Sequence, residues 1–87
     1  MKIKQGFILS KIGNDTVAIA TGELSRTFSG VIMLNGTGVF LWERLQQDTT
    51  REQLVADMLE HYDVSRAEAT EDINTFIEQL KAGGVLE

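Results

Sequence analysis

The chain has 87 residues and no cysteine, so it is sized for one domain over residues 1–87 and cannot form a disulfide, a zinc–thiolate site or an iron–sulfur site. Its formal net charge is −5, and the charge is uneven: residues 1–34 carry four basic and two acidic side chains, whereas residues 35–87 carry four basic and eleven acidic ones. Such a charge balance repels nucleic-acid phosphates, and a hydrophobic content of 43% excludes general disorder.

No apolar run approaches the ~20 residues that are needed to span a bilayer. The N-terminal segment MKIKQGFILSKIG has two lysines, a very short apolar stretch and no small-residue cleavage pattern. We therefore expect a mature N-terminus and a cytoplasmic protein.

The first part of the chain predicts three antiparallel strands. Phe7–Ile12 and Thr16–Thr21 are rich in apolar and β-branched residues, and the turn sequence Gly13–Asp15 separates them. Gly22–Glu23 opens a looser loop. Phe28–Leu34 then predicts the third strand.

After Asn35 the apolar spacing becomes helical and predicts three helices. The first follows the turn signal Asn35-Gly36, with Thr37 as the expected N-cap. Thr50–Gln53 and Ser65–Glu68 each have the pattern of a capping box, which places the starts of the second and third helices.

Each predicted helix has an apolar stripe. The stripes are Leu41, Trp42 and Leu45 in the first helix, Leu54, Val55, Met58, Leu59 and Tyr62 in the second, and Ala69, Ile73, Phe76, Ile77 and Leu80 in the third. Gly83–Gly84 is a helix stop signal, after which Val85–Leu86 can fold back onto the core. The order is β-β-β-α-α-α, which predicts an α+β winged helix-turn-helix in which helices cover one face of a small antiparallel sheet.

The third strand contains the four consecutive apolar residues Val31–Leu34, although a half-buried strand needs one only at every second position. One interpretation is a strand that is buried on both faces. The other is an edge strand with Ile32 and Leu34 in the core and with Val31 and Met33 free to line a groove, since neither Lys nor Pro protects this edge. The pattern alone does not decide between the two.

Three segments together resemble the PqqD-like family, whose members are also called RiPP recognition elements: GVIMLNGTGVFLWERL, TTREQLVADMLEHYDVS and AEATEDINTFIEQLKAGGVLE. Thr21–Gly30 differs from the quinone-pathway members and is more similar to PqqD-like proteins that occur beside other peptide-modifying enzymes. The resemblance implies a winged helix-turn-helix that binds the leader segment of a ribosomally made precursor peptide. The leader would add as a strand beside strand three and lie against the third helix. The domain would then present the peptide to a modifying enzyme, often a radical S-adenosylmethionine enzyme.

This resemblance favours the groove and predicts a peptide-binding site between strand three and the third helix. Asp72 would pair with a basic leader residue, and Gln79 would hydrogen-bond to the peptide. For each polar residue alone a solvated helix face is the simpler interpretation, and for Phe76 a place in the core. The predicted peptide-binding residues are Gly30, Val31, Ile32, Met33, Leu34, Asp72, Thr75, Phe76 and Gln79.

Other motifs predict no chemistry. Asn35–Gly38 lacks the lysine of a phosphate loop, and His61 has no converging ligands for a metal. We therefore predict a non-enzymatic domain without cofactor or metal, whose partners are a leader peptide and a modifying enzyme and not nucleic acid or a membrane.

Two alternatives remain open at this point. The first is a winged-helix DNA-binding or regulatory protein, although Ser65–Ala82 contains two basic and four acidic residues and a recognition surface should be basic. The second is an assembly subunit whose apolar edge pairs with a second copy of itself.

Overall fold

The computed structural model describes residues 1–28 and 31–87. Its elements are β1 (Phe7–Ile12), β2 (Asp15–Ala20), α1 (Leu24–Thr27), β3 (Val31–Leu34), α2 (Gly36–Arg44), α3 (Arg51–His61) and α4 (Arg66–Ala82). The three strands form an antiparallel sheet in the order β1-β2-β3. This arrangement confirms the predicted α+β fold, a three-stranded sheet followed by three main helices.

Two strands have other bounds than predicted, and one helix was not predicted. β2 is shifted by one residue toward the N-terminus, and β3 begins at Val31, so Phe28 precedes the strand. Where a loop was predicted, α1 forms a single turn of four residues. Its first bonds run from the Ser25 and Arg26 amides to the carbonyls of Gly22 and Glu23. One turn is too short to leave a periodic apolar pattern in the sequence.

The hydrophobic core lies between one face of the sheet and the helices. Ala18 is fully buried in it, Leu34 is 6% exposed, and Ile32 is half-buried and packs against it. The predicted stripes of the three main helices are largely buried in the same core. Tyr62 is an exception because α3 ends at His61, which leaves Tyr62 beyond the helix and exposed.

The opposite face of the sheet, here called the outer face, is also apolar. Its apolar side chains follow from the register, since successive residues of a strand point to opposite faces. They are Ile8, Ile12, Val17, Ile19, Val31 and Met33. Val31 is 53% exposed and Met33 is 60% exposed, as the alternation within the third strand predicted.

Side-chain caps begin the three main helices. Ser65 and Glu68 form the complete predicted capping box of α4. Thr50 caps α3, but the Gln53 side chain donates to Asp57 and does not close the box.

The N-cap of α2 is Asn35, and the prediction of Thr37 was wrong. The Asn35 side chain accepts a hydrogen bond from the Gly38 amide at 2.8 Å. Asn35 has an extended backbone, whereas Thr37 already lies inside the helix, and a capping residue must stand just outside it.

The two ends of the chain close the core together. Gly83 ends α4, Gly84 has a φ of +71°, and Val85 returns to a fully buried position, as predicted. Ile3 is 2% exposed, its amide donates to the Leu45 carbonyl at 2.9 Å, and it forms an isolated bridge with Leu86. A single isoleucine among polar residues carries no periodic signal, so the sequence did not predict Ile3 as a core residue.

No helix in residues 1–28 and 31–87 is both long and apolar enough to cross a membrane.

Replacing Ile3 with Ala should lower the free energy of unfolding by about 2–5 kcal/mol, because it leaves a cavity where the two chain ends meet. The matched substitution Ile12→Ala, at a position that is 62% exposed, should change it by only about 0.5 kcal/mol. Urea unfolding followed by the fluorescence of the buried Trp42 measures both. Equal losses for the two variants would show that the N-terminal segment does not belong to the core.

Candidate functional site

The edge of β3 is the first component of the site. In the described part of the chain, β3 pairs with β2 on one side and with no strand on the other. The amide and carbonyl groups along an unpaired edge are a template for an additional strand. Because β3 contains no Lys or Pro, nothing in its own sequence blocks such pairing.

A groove lies beside this edge, between β3 and α4, with a volume of about 570 Å³. Leu34, Gly38 and Leu41 are buried and form its floor. The residues that line the groove are Asp15, Met33, Leu34, Asn35, Thr37, Gly38, Leu41, Glu71, Asp72, Thr75, Phe76 and Gln79.

The orientation of α4 follows from its buried stripe. Ala69, Ile73, Ile77 and Leu80 are almost completely buried and fix one face of the helix against the core. The groove-lining residues of α4 occur at the same helical spacing of three and four, displaced to one side of the stripe. They are Glu71, Asp72, Thr75, Phe76 and Gln79. Phe76 borders the stripe and is half-buried, whereas the four polar residues are exposed.

The turn from β3 into α2 is closely packed. An added Cβ at Gly38 would lie 3.2 Å from Asn35 Oδ1 and 3.4 Å from Leu34 Cδ2. Glycine at this position therefore allows the helix to start directly behind the strand, with its capping side chain in place. The close approach keeps α2 at the floor of the groove.

The structure brings six of the nine predicted site residues together around the groove: Met33, Leu34, Asp72, Thr75, Phe76 and Gln79. Val31 and Ile32 do not line it: Val31 shares the outer face with Met33 but lies two residues earlier in β3, and Ile32 packs against the core. Gly30 lies outside the described residues. The role of all nine in peptide binding stays a prediction.

The sequence did not point to several groove-lining residues. Glu71 could have been found from the helical spacing of Asp72, Thr75 and Gln79. Asp15 comes next to the end of β3 through the pairing of Thr16 in β2 with Leu34 in β3, a register that no sequence pattern indicated. Leu41 and Gly38 carry no such signal, because a floor residue has the same apolar or small character as any core residue.

Outside the groove, His61 is part of a surface contact between α2 and α3. Arg44 Nη2 donates to His61 Nε2 at 3.2 Å, and the Arg44 guanidinium lies 4.9 Å from the centre of the Phe40 ring. Within residues 1–28 and 31–87, no group of three or more His, Cys, Asp or Glu residues could hold a metal ion.

The pattern of the family described as Coenzyme PQQ synthesis protein D (PqqD) matches residues 15–86. The chain belongs to the PqqD family. No curated protein matches the chain.

A solved structure with a similar fold is that of TbiB1 in complex with the TbiA(beta) leader peptide. It has a TM-score of 0.75 and 22% sequence identity, over 100% of this chain and 95% of that one. At this identity the similarity shows that the two chains share a fold. Together with the family match, it confirms the resemblance that the sequence segments indicated.

Replacing Asn35 with Ala should lower the free energy of unfolding by about 0.5–2 kcal/mol, because the Gly38 amide at the start of α2 loses its acceptor. Asn35→Asp retains a capping oxygen and should stay close to the parent protein. Urea unfolding followed by Trp42 fluorescence compares the three proteins. If Asn35→Ala and Asn35→Asp were equally stable, the cap would not hold the turn between β3 and α2.

Proposed function

We propose that this PqqD-family domain binds the leader segment of a ribosomally made precursor peptide by strand addition to β3. The observation that carries the proposal is the unpaired apolar edge of β3 alongside a groove walled by α4. Family membership supports it, as does the shared fold with TbiB1, whose structure is a complex with a leader peptide. The bound segment would be extended, and its successive side chains would point to opposite faces of the enlarged sheet.

The dimensions of the site suit a short strand. The four residues of β3 span roughly 13 Å at the ordinary rise of an antiparallel strand. An added strand of similar length would place alternate side chains on the outer face, beside Val31 and Met33, and the others toward Leu34 and Phe76 in the groove. Main-chain pairing would supply affinity and the groove would supply selectivity.

We further propose that residues 1–87 act as one binding domain in the cytoplasm and perform no chemistry themselves. The bound peptide would be presented to a separate modifying enzyme, for which a radical S-adenosylmethionine enzyme is one candidate. The groove is lined by apolar, amide, hydroxyl and carboxylate side chains and contains no histidine or cysteine. This composition suits holding a peptide better than activating a nucleophile.

No observation favours the DNA-binding alternative. The charged side chains of the groove are acidic, and α4 presents Glu71 and Asp72 there. A helix that enters the major groove of DNA needs basic or neutral side chains facing the phosphates.

The test of this proposal is a selection from a library of random dodecapeptides by mRNA display. The wild-type domain should enrich a family of sequences, and the best peptide should bind with a dissociation constant on the order of micromolar. Met33→Asp should weaken that binding at least roughly tenfold, because it places a charge where an apolar side chain of the peptide would pack. Fluorescence anisotropy with the labelled peptide measures the affinities.

Ile8→Asp is the matched control. Ile8 is 53% exposed on the outer face of β1 and pairs with Ile19, away from the groove, and Met33 is 60% exposed on the outer face of β3, so the two substitutions differ mainly in the edge they affect. Peptide binding should also slow amide hydrogen exchange in Val31–Leu34 and not in Phe7–Ile12. The proposal would be rejected if no peptide were enriched, or if Ile8→Asp weakened binding as much as Met33→Asp.

A further inference from the structure

The charged groups of the groove all have the same sign. Among the residues that line it, the ionisable ones are Asp15 on the sheet side and Glu71 and Asp72 on the α4 side. No Lys, Arg or His in the part of the chain that the structure describes lines the groove. Carboxylates on both walls of a cleft produce a negative potential inside it, which attracts cations and repels anions.

None of these three carboxylates forms an ion pair within the described part of the chain. The ion pairs there join Arg51 with Glu78, Arg26 with Glu23, and the Met1 amine with Asp48. Asp15, Glu71 and Asp72 also accept no hydrogen bond from another side chain or from a capped amide in residues 1–28 and 31–87. Their charges are therefore available to a ligand.

Helix stability does not explain the acids on α4. Glu68 occupies the first turn and completes the capping box with Ser65, so the positive end of the helix already has its carboxylate. Glu71 and Asp72 lie beyond that turn. Asp72 is also four residues from Glu68, a spacing at which like charges destabilise a helix.

The apolar part of the groove complements a long basic side chain. Met33 is 60% exposed and Phe76 is half-buried, so both offer apolar surface next to the carboxylates. Lysine and arginine pack their aliphatic stems on such a surface while the charged head reaches an acceptor. An arginine could in addition stack on the Phe76 ring.

We propose that the groove selects extended peptide segments that carry a lysine or arginine beside an apolar residue. Asp72 and Glu71 are the main determinants of this selectivity, and Asp15 contributes from the opposite wall. The inference rests on the proposed function, because it specifies the chemistry of the peptide that the groove holds. Acidic segments are excluded by the same charges.

The experiment repeats the random dodecapeptide selection with the wild-type domain and with the double variant Glu71→Gln/Asp72→Asn. Wild type should enrich peptides that have Lys or Arg at a fixed position relative to an apolar residue. The double variant should still enrich the apolar position and should lose the basic one. The control double variant Glu43→Gln/Glu60→Gln changes the net charge equally at exposed positions outside the groove and should keep the basic preference.

Single peptides then give a quantitative cycle. Replacing the selected basic residue with Gln should weaken binding to wild type roughly three- to fivefold, the effect expected of exposed ion pairs, and should have little effect on binding to Glu71→Gln/Asp72→Asn. Equal losses for both proteins, or enrichment of neutral or acidic peptides by wild type, would overturn the inference.

The two proposals fail in different ways. If the enriched peptides show no preference for Lys or Arg but bind Met33→Asp more weakly than wild type, only the charge selectivity is contradicted. The absence of any enriched peptide would contradict the proposed function and with it the charge selectivity.

Discussion

The site depends on how the core fixes α4 relative to β3. A three-stranded sheet is stable only when other elements cover one of its faces, and here the buried stripe of α4 and the floor residues Leu34 and Leu41 belong to one continuous core. α4 packs chiefly against α3, while α2 packs against β3. The space between β3 and α4 is therefore not filled by side chains of either element. The groove exists because α2 packs against β3, whereas α4 packs chiefly against α3.

The same arrangement explains why β3 is apolar on both faces. One set of its side chains, Ile32 and Leu34, contributes to the core, and this burial holds the strand in register with β2. The other set, Val31 and Met33, contributes little to the core because more than half of each side chain remains exposed. Their burial therefore contributes less to the stability of the isolated domain than that of Ile32 and Leu34. An additional strand that extends the sheet does benefit from them, since cross-strand neighbours pack on each other.

Most of the fold could be predicted because its signals are local. Capping residues such as Ser65 and Thr50, the stop at Gly83–Gly84 and the helical spacing after Asn35 each depend on a few adjacent residues. The errors arose where the deciding interaction is tertiary or very short. Ile3 is buried through contacts with residues more than forty positions away, and α1 is a single turn.

The site was predictable to a similar degree and for similar reasons. Strand alternation identified Met33 as exposed, and helical spacing identified Asp72, Thr75 and Gln79 as neighbours on one side of α4. The opposite wall was missed, because Asp15 comes close to the groove only through the pairing of Thr16 with Leu34. Likewise, the choice of Asn35 over Thr37 as the cap depends on the residue at which the helix starts, and sequence patterns locate helix starts only approximately.

The shortness of β3 limits how tightly the groove can hold a peptide. Ordering a disordered segment costs about 2–5 kcal/mol, and each main-chain hydrogen bond contributes only about 0.5–1.5 kcal/mol net. A strand of four residues forms few such bonds, so pairing alone does little more than offset the ordering cost. The surplus must come from side chains that bury Met33 and Phe76 or neutralise the carboxylates of the groove. A receptor of this kind distinguishes peptides by a few side chains and releases them readily, which suits a domain that passes its ligand to an enzyme.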